Sequence, residues 1–368
     1  MKVPFLDVKR RTVRFRDSYF LAIERVLKSS HFIFGSEIEA LEQKLARFIG
    51  VKHAVGCASG TDAITLSLMC LGLPKGTEVI TQANTCVPTV TGILRAGLVP
   101  VLAEIDSETC MIDPKSVQTL ITPKTRVLLP VHLYGNSAPV LALKEIAKAH
   151  DLFLIEDGAQ SIGATLGEKK LGSFGDLSCL SFYPTKNLGA LGDGGMVFTD
   201  RDDWAIVLRR QRNYGQQSKY SYVDEGINSR LDELQASLIL SHFEFLESDL
   251  KRRTQIANYY SDSFAPLRNR LEVPRLVEGS RSAFHLYPVF TKNRSALSEY
   301  LAGHGVATSV HYPEAIYEVP LFKDLHRGSS GVAAAKSKQV LSLPLYPEMT
   351  DEEVKYVSQK VLEFHETK

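Results

Sequence analysis

The segment Leu180-Ser181-Phe182-Tyr183-Pro184-Thr185-Lys186-Asn187-Leu188-Gly189, followed by Gly192, Gly194 and Gly195, sets one lysine among glycines and hydroxyls. Such a lysine can present its amine to an aldehyde while Ser181 and neighbouring backbone amides take phosphate oxygens. Taken alone, Lys186 reads equally well as a solvated loop lysine beside turn glycines. Upstream, Ile155-Glu156-Asp157-Gly158-Ala159-Gln160 ends a hydrophobic run in acids and small residues. A carboxylate there can face a pyridinium nitrogen and hold its proton, or it can simply cap the following turn. A third segment, Ala58-Ser59-Gly60-Thr61-Asp62-Ala63, reads as a strand-to-helix turn. Its free amides and helix dipole suit a phosphate, although Ser59 or Thr61 could serve only as a helix cap. Phosphate turn, aspartate and lysine in this order point to a pyridine phosphate cofactor, where each alone would not.

These residues need a scaffold that gathers strand ends. From about residue 50 to 200, short β-branched runs alternate with amphipathic stretches, over 53–57, 60–73, 78–80, 87–96, 99–105, 126–133, 141–150 and 152–156. That alternation predicts an α/β fold, with a mostly parallel sheet flanked by helices on both faces. Residues 178–182 and 195–199 read as two further strands, which puts the lysine-bearing connection at a strand end, where open α/β sheets place ligands. Helical patterns over 13–28 and 36–49, the second opened by an N-cap signal at Ser36, precede the first strand. A long helical pattern over 231–260 leads to a strand-like stretch at 284–290 and helices near 295–303 and 351–366. The expected division is a large cofactor-binding domain over 1–249, including the N-terminal helices and the connecting helix, and a smaller C-terminal α/β domain over 250–368.

Composition narrows the function classes. The 368 residues are 44% hydrophobic and 23% charged with a formal net charge of +1, so nothing global attracts nucleic acid or an acidic membrane. Any anion must be met locally. The five cysteines are unevenly spaced and contain no CxxC pair, against both a zinc site and a secreted disulfide framework. The ten histidines show no ligand spacing, so no metal is expected. The opening MKVPFLDVKRRTVRFR lacks an apolar signal core, and no apolar run is long enough to span a bilayer. A cytoplasmic protein with neither nucleic-acid nor membrane partners is the expectation. No GxGxxG follows the first strand, which sets a Rossmann dehydrogenase aside.

Several motifs together resemble the DegT/DnrJ/EryC1/StrS family of fold-type I, pyridoxal-phosphate-dependent sugar aminotransferases, over nearly the whole length. They run from Pro4-Phe5-Leu6-Asp7 through Ser59-Gly60-Thr61-Asp62-Ala63, Val131-His132-Leu133-Tyr134-Gly135, Glu156-Asp157-Gly158-Ala159-Gln160 and the Lys186 segment to Asn228-Ser229-Arg230-Leu231-Asp232-Glu233-Leu234-Gln235-Ala236 and His311-Tyr312-Pro313. The resemblance implies that Lys186 joins the cofactor aldehyde and later moves the proton between the amino donor and the cofactor. It further implies that Asp157 pairs with the pyridine nitrogen, that Gln160 lies near the ring hydroxyl, and that Gly60, Thr61 and Ser181 hold the phosphate. Asn228 is implied to reach the phosphate of the neighbouring subunit, hence a homodimer with shared sites. Where many relatives place an aromatic residue against the ring, this chain has Thr85-Cys86-Val87-Pro88-Thr89. Cys86 then offers a polarizable sulfur contact, or is a buried core cysteine.

For the acceptor, Arg209-Arg210-Gln211-Arg212-Asn213-Tyr214-Gly215-Gln216-Gln217-Ser218-Lys219-Tyr220 combines cations and tyrosines where the family keeps a loop near a sugar nucleotide. Lys219 is expected on a pyrophosphate with Tyr220 beside it, while Arg209 and Arg210 read as well as a solvated helix end. His311 and Tyr312 resemble a motif that enters the active site from the smaller domain; a structural role beside Pro313 is equally open. Members that act at C4 often carry histidine three positions before the lysine, where this chain has Tyr183, so it looks more like C3-acting members. The resemblance therefore implies a dTDP-linked 3-keto-6-deoxyhexose aminated at C3, with glutamate as donor. Alternatives are C4 amination of a dTDP-4-keto sugar, C3 amination of a UDP-linked sugar, and a cofactor-binding regulator without turnover.

Overall fold

Helices α1 (Val8–Arg14) and α2 (Arg16–Ser29) occupy the stretch in which one helix over 13–28 is expected. The break is at Phe15, which is buried and leaves helical geometry at φ −100° and ψ 7°. The computed structural model describes residues 1–325 and 331–366, so part of the expected 250–368 unit lies outside the described residues. Next comes α3 (Ser36–Ile49), whose cap is Gly35 rather than the expected Ser36. A buried carboxylate from a distant helix takes over the capping: Glu233 accepts the N–H groups of Gly35, Glu37 and Ile38 at 2.7, 2.8 and 3.1 Å. Negative charge at a helix N-terminus complements its dipole as well as its unpaired donors.

Chain order then alternates as expected: β1 (His53–Cys57), α4 (Gly60–Cys70), β2 (Glu78–Gln82), α5 (Val87–Arg95), β3 (Val99–Ala103), α6 (Pro114–Leu120), β4 (Thr125–Leu129), α7 (Val140–Ala149) and β5 (Phe153–Asp157). The run expected over 126–133 ends early because Pro130 has no N–H for the ladder; Val131 then makes a single bridge to Asp157. Two short strands, β6 (Thr165–Leu166) and β7 (Lys169–Lys170), precede β8 (Leu177–Ser181) and β9 (Gly195–Thr199). The seven-stranded sheet has the order β1-β9-β8-β5-β4-β2-β3. Only the pairings made by β9 are antiparallel. Alternate strand residues feed opposite faces. Val55, Ile155 and Val197 pack with Leu66, Trp204 and Leu208, whereas Ala54, Leu180 and Phe198 pack with Leu41, Leu45 and Ile239.

After the sheet come α8 (Asp202–Gln211), the exposed hairpin β10 (Gln216–Ser218) and β11 (Ser221–Tyr222), then α9 (Glu233–Phe243) and α10 (Leu246–Phe264). The helix expected over 231–260 is therefore two, broken at Glu244 and Phe245. Both unexpected breaks meet in one aromatic cluster, where the Phe15 ring lies 4.9 Å from Phe245 and 4.8 Å from His242. Beyond α10, β12 (Ser280–Arg281) pairs with β6, and β13 (Tyr287–Phe290) pairs antiparallel with β14 (Val340–Leu343). The strand expected over 284–290 starts late, since Phe284 has a left-handed φ of 42°. Helices α11 (Arg294–Gly303), α12 (Val332–Gln339) and α13 (Asp351–Glu366) complete this part. Ile256, Tyr260, Val289, Leu301, Leu341 and Val361 form its core, joined by Val3. Among the described residues no helix is long and apolar enough to cross a membrane.

Candidate active site

One cavity of about 620 Å³ opens at the C-terminal edge of the parallel strands. The turn after β1 contributes Ser59 and the start of α4 contributes Gly60 and Thr61, the turn after β2 contributes Thr85 and Cys86, and β5 ends there in Asp157. Ser181 enters from the end of β8, Tyr183 and Lys186 from the loop after it, and His311 and Tyr312 from the segment before α12. The reversed strand β9 explains how β1 and β8 share this edge: Cys57, Gly195 and Ser181 lie in register across the three strands. A side chain at Gly195 would put Cβ 2.2 Å from the Ser59 carbonyl oxygen, and one at Gly60 would put Cβ 2.7 Å from Ser181 Cβ. At Gly195 the facing backbone leaves no room for a Cβ, and at Gly60 the Ser181 side chain would have to move to admit one.

The start of α4 is tied down from beneath. Ser59 Oγ accepts the Asp62 N–H at 3.1 Å, Asp62 accepts from Arg95 at 2.6 Å and from Ser229 at 2.8 Å, and Ser229 Oγ accepts the Ala58 N–H at 3.1 Å. The first N–H groups of a helix have no acceptor inside it, and Gly60 and Thr61 line the cavity there. An anion would find both a dipole and free donors.

Asp157 is buried and oriented from two sides. Thr89 donates to Oδ2 at 2.8 Å, the Ala159 N–H donates to Oδ1 at 3.1 Å, and Thr85 pairs with Thr89 at 2.8 Å. Burial raises its carboxyl pKa, opposed by these hydrogen bonds and by Lys186. Lys186 is lowered, again chiefly by burial, with Asp157 and Cys86 acting the other way. A lysine so placed is more available as a free amine. Behind Asp157, Glu156 points to the opposite face and is fully satisfied by His132 at 2.8 Å and by the N–H groups of Gly172, Phe174 and Gly175.

Gln160 is clamped at both ends: its Oε1 accepts the Tyr134 N–H at 2.6 Å and its Nε2 donates to the Tyr312 hydroxyl at 3.2 Å. Tyr134 in turn donates its hydroxyl to the His311 carbonyl at 2.8 Å. The His311 ring stacks on Phe5 at 5.5 Å, and burial depresses its pKa to about 4. Cys86 stands at the N-terminus of α5, its thiol pushed up by burial and in contact with Tyr312. Tyr183 lines the cavity while remaining half exposed.

Ten of the expected residues thus converge: Gly60, Thr61, Cys86, Asp157, Gln160, Ser181, Tyr183, Lys186, His311 and Tyr312. Three do not line the cavity of their own chain. Lys219 and Tyr220 form the exposed tip of the β10–β11 hairpin, and Asn228 is exposed beside a bridge to Asn213. Sequence reasoning missed the parts played by Thr89, Arg253 and His285, which reach the site from other elements. A signal existed for Arg253, a charge on the buried stripe Leu246, Asp249, Arg253, Ile256 and Tyr260 of α10.

The donor set fits a pyridine phosphate group: an anion cradle that a Cβ would fill, an oriented carboxylate, and a buried lysine amine whose pKa is lowered by burial. Compared with known proteins, the sequence profile of the DegT/DnrJ/EryC1/StrS aminotransferase family matches residues 15–362. The pleiotropic regulatory protein of Geobacillus stearothermophilus is 39% identical over 368 residues, covering 99% of each chain. A dTDP-3-amino-3,4,6-trideoxy-alpha-D-glucose transaminase of Streptomyces venezuelae is 38% identical over 350 residues, 95% of this chain and 92% of that one. The crystal structure of S. venezuelae DesV in complex with a ketimine intermediate has a TM-score of 0.96 at 37% identity, over 99% of both chains.

Proposed function

Because the chain belongs to the DegT/DnrJ/EryC1/StrS aminotransferase family, a family of pyridoxal-phosphate-dependent enzymes acting on nucleotide-linked keto sugars, we propose that it aminates a dTDP-linked 3-keto-6-deoxyhexose at C3 with glutamate as donor. The observation that carries the chemistry is Lys186 and Asp157 lining one cavity with the α4 phosphate turn. When bound, pyridoxal phosphate supplies an aldehyde that condenses with amines and a ring that withdraws electrons from the adjoining carbon. Asp157 would face the pyridine nitrogen and keep its proton in place, while Gly60, Thr61 and Ser181 would take the phosphate. Gln160, fixed by Tyr134 and Tyr312, would meet the ring hydroxyl, and Cys86 would offer its sulfur to the ring. Lys186 would hold the cofactor aldehyde, and its free amine would serve as general base and then acid, moving a proton from the donor Cα.

Tyr183 supports the choice of acceptor. A phenol at the cavity mouth donates one hydrogen bond to a sugar hydroxyl or phosphate oxygen and offers an apolar face, where a histidine could also carry charge. The exposed Lys219, Tyr220 and Asn228 act across a homodimer, Lys219 on the pyrophosphate and Asn228 on the cofactor phosphate of the neighbouring site; His311 and Tyr312 border the sugar. The test presents the aminated form of the enzyme with dTDP-3-keto, dTDP-4-keto and UDP-3-keto sugars and follows return of the cofactor's visible band. Preference for the dTDP-3-keto sugar is expected; preference for a 4-keto or UDP-linked acceptor would overturn the choice.

A further inference from the structure

Arg253, near the middle of α10, is 2% exposed and lines the cavity together with Lys186, His285, Leu343 and Leu345. All its hydrogen bonds leave from Nη1, to the carbonyls of Phe284 at 3.0 Å, Leu345 at 3.1 Å and His285 at 3.4 Å. Among the described residues Nε and Nη2 donate to nothing, and no carboxylate forms an ion pair with the guanidinium. Two acids act on it through space without pairing with it: Asp249, which pairs with Arg14 at 2.7 Å, and Glu348, whose carboxylate lies 3.5 Å from Arg14 and accepts no hydrogen bond among the described residues. Burial, reinforced by the Arg11 cation, depresses the guanidinium to about 9, which still leaves it charged at neutral pH.

A buried cation without a counter-charge is costly, and a protein keeps one where a ligand supplies the anion. The Nε and Nη2 groups form one edge of the planar fork, the edge that meets a carboxylate with two parallel hydrogen bonds. The two cavity histidines do not compete for that anion, because burial drives His285 and His311 neutral. The phosphate cradle at Ser59–Thr61 and Ser181 comes from other elements, the start of α4 and the end of β8. We propose that Arg253 is the carboxylate-binding residue for the amino donor, gripping it through its Nε–Nη2 edge. The inference rests on the aminotransferase reading and adds a specificity determinant to it.

Enzyme loaded with pyridoxal phosphate is titrated with L-glutamate while the visible band is followed, in wild type, Arg253→Gln and Arg253→Lys. The half-saturating glutamate concentration is expected to rise about 100-fold in Arg253→Gln, the scale for losing one partner of a buried charge pair. That for the keto sugar in the return reaction is expected to move less than about threefold. L-2-Aminobutyrate lacks the distal carboxylate and 4-aminobutyrate lacks the one on the reacting carbon, so whichever amine escapes the effect identifies the carboxylate that is bound. Independently of turnover, glutarate should raise the thermal midpoint of wild type and do so less in Arg253→Lys, which keeps a cation and a donor for the three carbonyls. Equal stabilisation by glutarate in both proteins, or an equal rise for glutamate and keto sugar, would overturn the assignment. A wild-type band indifferent to L-glutamate would count instead against glutamate as donor, and it appears without any substitution.

Discussion

Asp157 is oriented by Thr89 and the Ala159 N–H without help from a ligand, so Asp157→Asn keeps the shape and removes the charge. The rate of the glutamate half-reaction should fall on the order of 10²-fold or more, the scale of a lost electrostatic contact in a water-excluded site. A single-turnover measurement checks it, and a rate within a few-fold of wild type would give the role to another carboxylate. At this scale the sequence was informative where chemistry and chain order coincide: Lys186, Asp157 and the Ser59–Thr61 turn are recognisable by type and by their place at strand ends. Thr89 was not, because its role is a contact between α5 and β5, and a threonine in a helix carries no mark of that. Arg253 was visible only as a charge on an apolar stripe, a pattern that does not say which cavity the charge meets.

Among the elements, α1 is fastened to α13 by one ion pair. Arg10 donates to both Glu353 oxygens at 2.7 Å, and Glu353 also accepts the Thr350 N–H at 2.9 Å. The Arg10 hydrogen bond is the largest influence holding the Glu353 carboxyl below its ordinary pKa. A depressed pKa means stability that is present above the unfolded value near 4.3 and lost as pH falls through the folded value. Glu353→Gln should therefore lower the unfolding free energy at pH 7 by about 1 kcal/mol, because Arg10 is partly exposed and screened. The difference should close as the medium is acidified below the folded pKa; thermal melts across pH check this, and a pH-independent difference would refute it. Strand positions were legible from buried β-branched runs, whereas the breaks in the helical patterns over 13–28 and 231–260 were not. Those breaks exist because Phe15 and Phe245 pack on one another, a contact between segments more than two hundred residues apart.

For the whole molecule, Phe20, Leu21 and Leu27 on α2 and Phe32 just beyond it are more than half exposed, an apolar surface of the kind that marks an interface. We propose that it is covered in a homodimer, in which Asn228 and the β10–β11 tip approach the neighbouring cavity. Cofactor affinity should then weaken when the protein is diluted enough to dissociate, as measured by fluorescence titration beside sedimentation; a fully active monomer would exclude the shared site. The proposed division into 1–249 and 250–368 falls at the end of the first turn of α10, the helix that also carries Arg253. The pairing of β1 with β9 has a consequence for how the chain is made. β1 leaves the ribosome early, yet the strand that covers its edge ends at Thr199, and the Ser229 that braces the α4 turn comes later still. Until then the growing chain carries an unpaired apolar strand edge, the feature most open to wrong partners. Chaperone dependence in this protein should therefore be concentrated in that interval of synthesis.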